Sequence, residues 1–321
     1  MSQPEVTIPG SPVLPTMITE DHVIQFSCHK GIGCWNACCA NIDISLTPYD
    51  IIRLKNRLGI SSTVFLRDYT VPFEMEKDSI VGVKYRPVDG GTACRFMQPE
   101  GCGVYEDRPT ACRYYPVALL SMRKQDEYTD TQSYAMVKED HCKGHEVDRR
   151  LTIADYRKEQ GVEQYDELAR GWRQLILKKK SSGPAVGTPS LKSRQLFFMA
   201  CYDIDTFRAF VDSSVFKELF VLPDEEWAKI LSDDVNLLQF SFRYLKQVLF
   251  GENTIPLNDA VASERRENYA KRKAEIEKEA AEKRAKYEAA MQEEGINEED
   301  SGLGFEPEAE SDKSGGSCSK N

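Results

Sequence analysis

Cysteine is the residue type in this chain of 321 residues whose number and placement most clearly suggest chemistry. Eight of the ten cysteines lie between positions 28 and 142. These candidate metal ligands are Cys28, Cys34, Cys38, Cys39, Cys94, Cys102, Cys112 and Cys142. Thiolates bind soft or borderline metals, namely zinc, copper(I) and the iron of iron–sulfur clusters. Because four thiolates close a zinc site or hold one 4Fe–4S cluster, eight could supply two closed sites, or one site plus structural thiols.

The spacing of the cysteines does not identify the metal. Five residues separate Cys28 from Cys34, and three separate Cys34 from Cys38. These gaps match neither the C-x2-C pairs of zinc ribbons nor the C-x2-C-x2-C run of bacterial ferredoxins. Cys38 and Cys39 are adjacent, and neighbouring side chains of an extended chain point to opposite sides. The pair could therefore serve two sites, or only one of the two could bind metal.

Histidine adds a second set of candidates, because it can replace a thiolate at zinc. The four histidines of the chain are His22, His29, His141 and His145, all within or beside the cysteine-rich stretch. A role in solvent or as a hydrogen-bonding neighbour of the site fits them better than direct ligation. Cys201 lies in an apolar run and is predicted to be a core residue, whereas Cys318 is predicted to be an exposed thiol without function.

The composition is that of an acidic globular protein. Hydrophobic residues make up 40% of the chain, and the formal net charge is −10. Nucleic acid and anionic membrane surfaces both require a basic face, so we predict neither as a partner. No run approaches the roughly 18 apolar residues of a membrane span, and the start does not read as a signal peptide. We predict a cytoplasmic protein, where thiols stay reduced and clustered cysteines usually serve metal or redox chemistry.

The clearest local element is a helix that follows the first cysteine group. Thr47 can cap its start, Pro48 occupies the first helical position and Asp50 favours the positive end of the helix dipole. Gly59 is typical of the residue that ends a helix. This helix therefore connects the first cysteine group to the elements that carry the second.

The remaining patterns predict an α+β fold that is mostly helical. An irregular, metal-organised N-terminal half with short strands precedes a helical C-terminal half. Strands are predicted over 80–87, 93–97, 104–105, 117–121 and 133–137. Helical periodicity begins at Ile153, and three short helices are predicted over 191–250.

These patterns also predict the organisation of the chain into domains. The predicted units are 1–20, a loose arm; 21–150, a cysteine-cluster metal-binding domain; 151–255, a helical domain; 256–295, a charged helix; and 296–321, a disordered tail. A protein partner could dock on the charged helix, although such a helix is more often simply solvated.

Two segments resemble the YkgJ-type cysteine-cluster family, which is also described as a zinc- or iron-chelating domain. They read FSCHKGIGCWNACCANIDISLTPYDIIRLKNRLGI and ACRFMQPEGCGVYEDRPTACRYYPV. The matching positions are Cys34, Cys38, Cys39, Leu46, Thr47, Asp50, Cys94, Cys102, Val104, Tyr105, Arg108, Pro109, Cys112, Arg113 and Pro116. The first cysteine group is spaced more widely than the family pattern. The resemblance covers about residues 25–145 and implies a metal-binding protein that chelates zinc or iron, including iron as an iron–sulfur cluster.

The resemblance also implies an alternative activity, because the family includes a flagellin lysine N-methylase. The alternative is an iron–sulfur-dependent methyltransferase, for which S-adenosylmethionine would be the cofactor. The sequence has no G-x-G-x-x-G nucleotide loop, and whether the protein is an enzyme stays open. The residues themselves add one expectation. Arg108 and Arg113 place positive charge near several thiolates, where it could offset the negative charge of a zinc–thiolate site. An ordinary surface role is the alternative for both arginines.

Overall fold

The computed structural model describes residues 17–76, 80–122, 131–181 and 189–260, with single positions between 263 and 282. Most of the predicted N-terminal arm, most of the charged helix, the C-terminal tail and Cys318 lie outside the described residues. The chain divides into two compact units, Met1–Asn258 and Asp259–Asn321. The predicted domain boundary at residue 150 stays a prediction.

The strands of the described residues are short and pair antiparallel in four small sheets. They are β1 (Val23–Gln25), β2 (Ser45–Leu46), β3 (Thr70–Glu76), β4 (Ile80–Tyr85), β5 (Met97–Gln98), β6 (Gly101–Cys102), β7 (Val117–Met122), β8 (Thr131–Met136) and β9 (Arg150–Thr152). The pairings are β1 with β9, β5 with β6 and β7 with β8, and the order β2-β4-β3 forms the largest sheet. The strands predicted near 80–87, 117–121 and 133–137 are confirmed as β4, β7 and β8.

The other two predicted strands are wrong in extent or type. Of residues 93–97, only Met97 belongs to a strand, and the rest form a loop with an isolated bridge between Pro87 and Cys94. Tyr105 begins a 3-10 helix instead of a strand, because the Asp107 amide donates to the Val104 carbonyl at 2.9 Å. The apolar pair at 104–105 resembles a strand only when the turn that follows it is ignored.

The described residues contain eleven α-helices. They are α1 (Ala37–Ala40), α2 (Pro48–Leu58), α3 (Ser62–Tyr69), α4 (Thr110–Tyr114), α5 (Ile153–Gln160), α6 (Val162–Ser181), α7 (Leu191–Tyr202), α8 (Ile204–Asp212), α9 (Ser214–Leu219), α10 (Asp224–Ser232) and α11 (Asp234–Phe250). The three helices predicted over 191–250 are in fact five. Ser213 and Asp233 each accept a backbone N–H at a new helix start, and these caps divide the apolar pattern.

Helix α2 has the ends that the sequence predicts. The Thr47 hydroxyl accepts from the Asp50 amide at 3.2 Å, and the Asp50 carboxylate accepts from the Thr47 amide at 2.8 Å. This reciprocal pair is a capping box, which satisfies two donors that a helix start leaves unpaired. Pro48 is the first helical residue, and Gly59 ends the helix with φ 66°.

Two hydrophobic clusters hold these elements together. The first contains residues of α2, α3, β4 and α6 to α11, and Cys201 lies inside it at 1% exposure. The second is smaller and is built mainly around Phe26, Tyr134 and Tyr156. The fold is α+β and mostly helical, with short strands in the N-terminal half, as predicted. In the part of the chain that the structure describes, no helix has the length and apolarity to cross a membrane.

Candidate metal centre

The first cysteine group lies on a tight turn and a single helical turn. Asn36 adopts a left-handed conformation, φ 65°, and begins α1, which carries Cys38 and Cys39. The Asn36 side chain donates to the Gln98 carbonyl at 2.8 Å, and the Thr92 hydroxyl donates to the Ala40 carbonyl at 3.0 Å. These two bonds fix the first cysteine group against the loop that carries Cys94.

Three cysteines of the second motif lie together; we call Cys94, Cys102 and Cys112 the Cys112 trio. The Cys94 amide donates to the Cys39 carbonyl at 2.8 Å, which joins this trio to α1. Strand pairing places Cys102 opposite Met97, three residues after Cys94. Cys112 lies on α4, and burial raises the pKa of its thiol, followed by the thiols of Cys94 and Cys102. Burial also raises the pKa of Cys94, and the Cys102 thiol adds to that rise.

Helix α4 is held in place by Asp50, which has a second role beyond the one predicted at the start of α2. The Asp50 carboxylate accepts from both the amide and the hydroxyl of Thr110, each at 2.8 Å. Asp50 is fully buried, and burial raises the pKa of its carboxyl group above the ordinary value. One carboxylate thus caps α2 and anchors the start of the short helix that carries Cys112.

A second set of thiols gathers at the other end of the motif; we call Cys28, Cys34 and Cys142 the Cys142 trio. The Lys143 amide donates to the Cys34 Sγ at 3.2 Å. The Ser27 amide donates to the Gly144 carbonyl at 3.1 Å, which places Cys28 beside the turn after Cys142. A Cβ on Gly144 would lie 2.4 Å from the Phe26 ring, so only glycine fits at this crossing.

The electrostatics show that these thiols act on one another. Burial raises the pKa of Cys28, and the thiols of Cys38, Cys34 and Cys142 raise it further. Like charges close together disfavour the ionised form. A bound cation would offset this repulsion, which is the property expected of metal ligands.

The adjacent pair Cys38 and Cys39 joins the two trios. Their Sγ atoms are 4.0 Å apart, and the pair lies on α1 and not in extended chain as the sequence analysis assumed. Consecutive residues of a helix differ by about 100° in direction, so the two side chains still diverge. A hydrogen bond with Cys39 lowers the pKa of Cys38 to about 7, whereas the same bond raises that of Cys39.

The thiols are neighbours, but they do not form a closed coordination sphere. Within the ranges described, no group of three or more histidine, cysteine, aspartate or glutamate side chains is arranged to hold one ion. His141 faces Glu139 at 3.6 Å, and the His145 ring packs 5.3 Å from the Phe26 ring. The histidines therefore have contacts typical of neighbours of the site, and ligation by the thiols requires their side chains to move together.

The donor set nevertheless fits a thiophilic metal. Each of the eight candidate cysteines is a free thiol. The Tyr85 hydroxyl is buried without a hydrogen-bond partner among the described residues, and the Cys112 and Cys94 thiols raise its pKa after burial does. A buried hydroxyl in this position would gain a strong acceptor if a nearby thiol became a metal-bound thiolate.

The two arginines of the motif have different roles. Burial raises the pKa of Cys28 and of Cys102, and the Arg108 charge offsets part of the rise at both, so it reaches thiols of both trios. Arg113 is buried and donates to the backbone carbonyls of Arg108, Gln160 and Glu106. Only Arg108 therefore behaves as the charge-balancing group that the sequence suggests, and Arg113 has a structural role.

Comparison with known proteins adds one finding. Residues 27–143 match the family model CxxCxxCC, described as "Putative zinc- or iron-chelating domain". The match contains all eight candidate cysteines and confirms the resemblance that the sequence predicts. No curated protein and no solved structure matches the chain.

Proposed function

We propose that this protein binds zinc or iron through a cysteine cluster and that the bound metal stabilises the surrounding loops. The match of residues 27–143 to the chelating-domain family supports this proposal. The proposed ligands are Cys28, Cys34, Cys38, Cys39, Cys94, Cys102, Cys112 and Cys142. Zinc bound by thiolates would supply a structural centre, and iron would bind as an iron–sulfur cluster.

The observation that carries this proposal is the proximity of thiols from three distant parts of the sequence. Backbone and sulfur contacts bring residue 34 beside residue 143 and residue 39 beside residue 94. Chance burial of cysteine as a small hydrophobic residue would not explain thiols that remain partly exposed and influence each other's ionisation. Metal coordination explains both features.

A stabilising role follows from the local structure. The elements that carry the cysteines are minimal: α1 has four residues, α4 has five, and β6 has two. Elements this short have little stability of their own. A bound metal would supply it, since structural zinc contributes on the order of 10 kcal/mol to the folding of zinc-finger peptides.

The direct test is metal and sulfide analysis of the full chain purified without oxygen, together with its absorption spectrum. Stoichiometric zinc in a colourless sample supports the zinc form. Iron with acid-labile sulfide, and broad visible absorption that fades on reduction, supports the cluster form. Cys112→Ser should lower the bound metal, and the matched control Cys201→Ser, outside the cysteine cluster, should not. A chain that binds neither metal after reconstitution would refute the proposal.

The methyltransferase alternative stays a prediction from the family resemblance. It requires both an iron–sulfur centre and a site for S-adenosylmethionine. Calorimetric titration of the iron-reconstituted full chain with S-adenosylmethionine tests it. Saturable binding would support the alternative, and a flat titration of a fully loaded sample would remove it. A cytoplasmic location and a protein partner for the charged helix also stay predictions.

A further inference from the structure

We propose that the chain holds two metal centres, one formed by the Cys142 trio with Cys38 and the other formed by the Cys112 trio with Cys39. This inference rests on the proposed function, since it divides the ligands of the same cysteine cluster. Each set then contains four thiolates, the number that closes a tetrahedral zinc site or holds one 4Fe–4S cluster.

The two trios are built into different parts of the fold. Cys94 and Cys102 pack against the first hydrophobic cluster, the one that contains the long helices. Cys142 packs against the second cluster, around Phe26 and Tyr156. Two different apolar surfaces thus support thiols of the two trios.

The contacts of Cys39 assign it to the Cys112 trio. Its carbonyl accepts from the Cys94 amide at 2.8 Å, which fixes the two residues side by side. Apart from burial and its neighbour in sequence, the thiols of Cys94 and Cys112 raise the pKa of Cys39.

The geometry of α1 leaves Cys38 to the Cys142 trio, because Cys39 is fixed beside Cys94 and consecutive side chains of a helix diverge by about 100°. Among the thiols that act on Cys28, Cys38 has the largest effect, ahead of Cys34 and Cys142. Cys38 also interacts with the carboxylate of Glu139, whose carbonyl accepts from the Cys142 amide at 2.9 Å. Cys38 also acts on all three thiols of the Cys112 trio, behind the other thiols at Cys94 and Cys112 and as the neighbouring thiol at Cys102. The direction of its side chain from α1, and not these electrostatic effects, therefore decides the assignment.

The charge balance agrees with two neighbouring centres. Four thiolates around Zn²⁺ leave a net charge of about −2, so two such centres repel each other. Arg108 interacts with Cys28 of one set and Cys102 of the other, and its guanidinium is therefore placed to reduce this repulsion. Because no set of thiols yet converges in the described ranges, loading must draw each set together.

The test is a titration of the metal-free, reduced full chain with Co²⁺, followed by Zn²⁺ in competition. Co²⁺ in a tetrathiolate site gives characteristic visible bands, so both the stoichiometry and the ligand type are measured without any assay of activity. We expect two equivalents to bind. Cys142→Ser and Cys112→Ser should each lose one equivalent and keep the other, and the double variant should lose both.

Alkylation of the wild-type chain gives a second measurement that requires no variant to fold. With increasing Zn²⁺, tandem mass spectrometry should show the four cysteines of each set protected together, with Cys38 and Cys39 following different sets. Two results would overturn the two-centre inference and leave the proposed function standing. One is binding of a single metal equivalent that either variant abolishes, and the other is uniform protection of all eight thiols. Binding of no metal at all would overturn both.

Discussion

Among the described residues, the helical segment (153–255) buries 24 hydrophobic side chains. The cysteine loops (26–40, 92–112 and 139–147) bury three, namely Phe26, Phe96 and Val104. Each buried apolar side chain contributes roughly 1.5–3 kcal/mol. Packing therefore contributes much more to the stability of the helical segment than to that of the cysteine loops.

With the proposed metal binding, the chain has two sources of stability in regions that touch. Helix α2 lies between them, because its apolar face belongs to the first hydrophobic cluster and its Asp50 anchors the helix of Cys112. Damage to the apolar core should therefore leave metal binding largely intact until the whole unit unfolds. Damage to the cysteine loops should affect metal binding first.

The largest single-residue effect is expected at the centre of the helical segment. Phe207 is fully buried, so Phe207→Ala should lower the free energy of unfolding by about 3–5 kcal/mol through lost burial and a cavity. Urea unfolding of the metal-loaded protein measures this. Phe210, which is 37% exposed, provides the matched control, and Phe210→Ala should cost clearly less. Equal losses, or a loss of bound metal in the folded Phe207 variant, would break the comparison.

A smaller effect is expected where two cysteine loops cross. Gly144→Ala places a Cβ 2.4 Å from the Phe26 ring and should cost about 1–3 kcal/mol through overpacking. It should also weaken metal binding by the Cys142 trio, which competition with a chromogenic chelator measures. Gly33→Ala is the control, because a Cβ there meets no atom within 4 Å. If the control weakens binding as much as Gly144→Ala does, the crossing is not what positions these thiols.

The smallest effect is expected at the buried hydroxyl of Tyr85. Tyr85→Phe removes a group that has no partner among the described residues, so the metal-free protein should keep or slightly gain stability. The metal-loaded protein should lose about 1 kcal/mol, because a hydrogen bond from the hydroxyl to a thiolate disappears. Thermal unfolding of both forms measures the difference. An equal change in the free energy of unfolding of the metal-free and metal-loaded forms would show that the hydroxyl does not contact a metal ligand.

Much of the fold follows from local sequence signals. The series Thr47, Pro48, Asp50 and Gly59 predicts α2 with its capping box and its end, because each residue acts within the first or last helical turn. The strand signals at 80–87, 117–121 and 133–137 are local as well, and they correspond to β4, β7 and β8. Helix boundaries within 191–250 were missed because Ser213 and Asp233 cap in the middle of an apolar pattern.

The site could be predicted in its residues but not in its arrangement. Eight clustered cysteines indicate metal chemistry from composition alone, and the family match of residues 27–143 agrees. The contact between Cys34 and the Lys143 amide spans 109 residues, and that between Asp50 and Thr110 spans 60. Contacts between residues so far apart in sequence produce no local spacing pattern. The division of the thiols into two trios therefore becomes visible only in the fold.

The account depends most on the claim that metal, not apolar packing, stabilises the cysteine loops. Hydrogen–deuterium exchange of the full chain, compared between the metal-loaded protein and the same protein after anaerobic chelation, tests this claim directly. We predict that peptides from the cysteine loops lose protection after chelation, while peptides from α7, α8 and α11 keep it. Equal protection of the cysteine loops before and after metal removal would contradict the account, and so would a loss of protection that extends over the helical segment to the same degree.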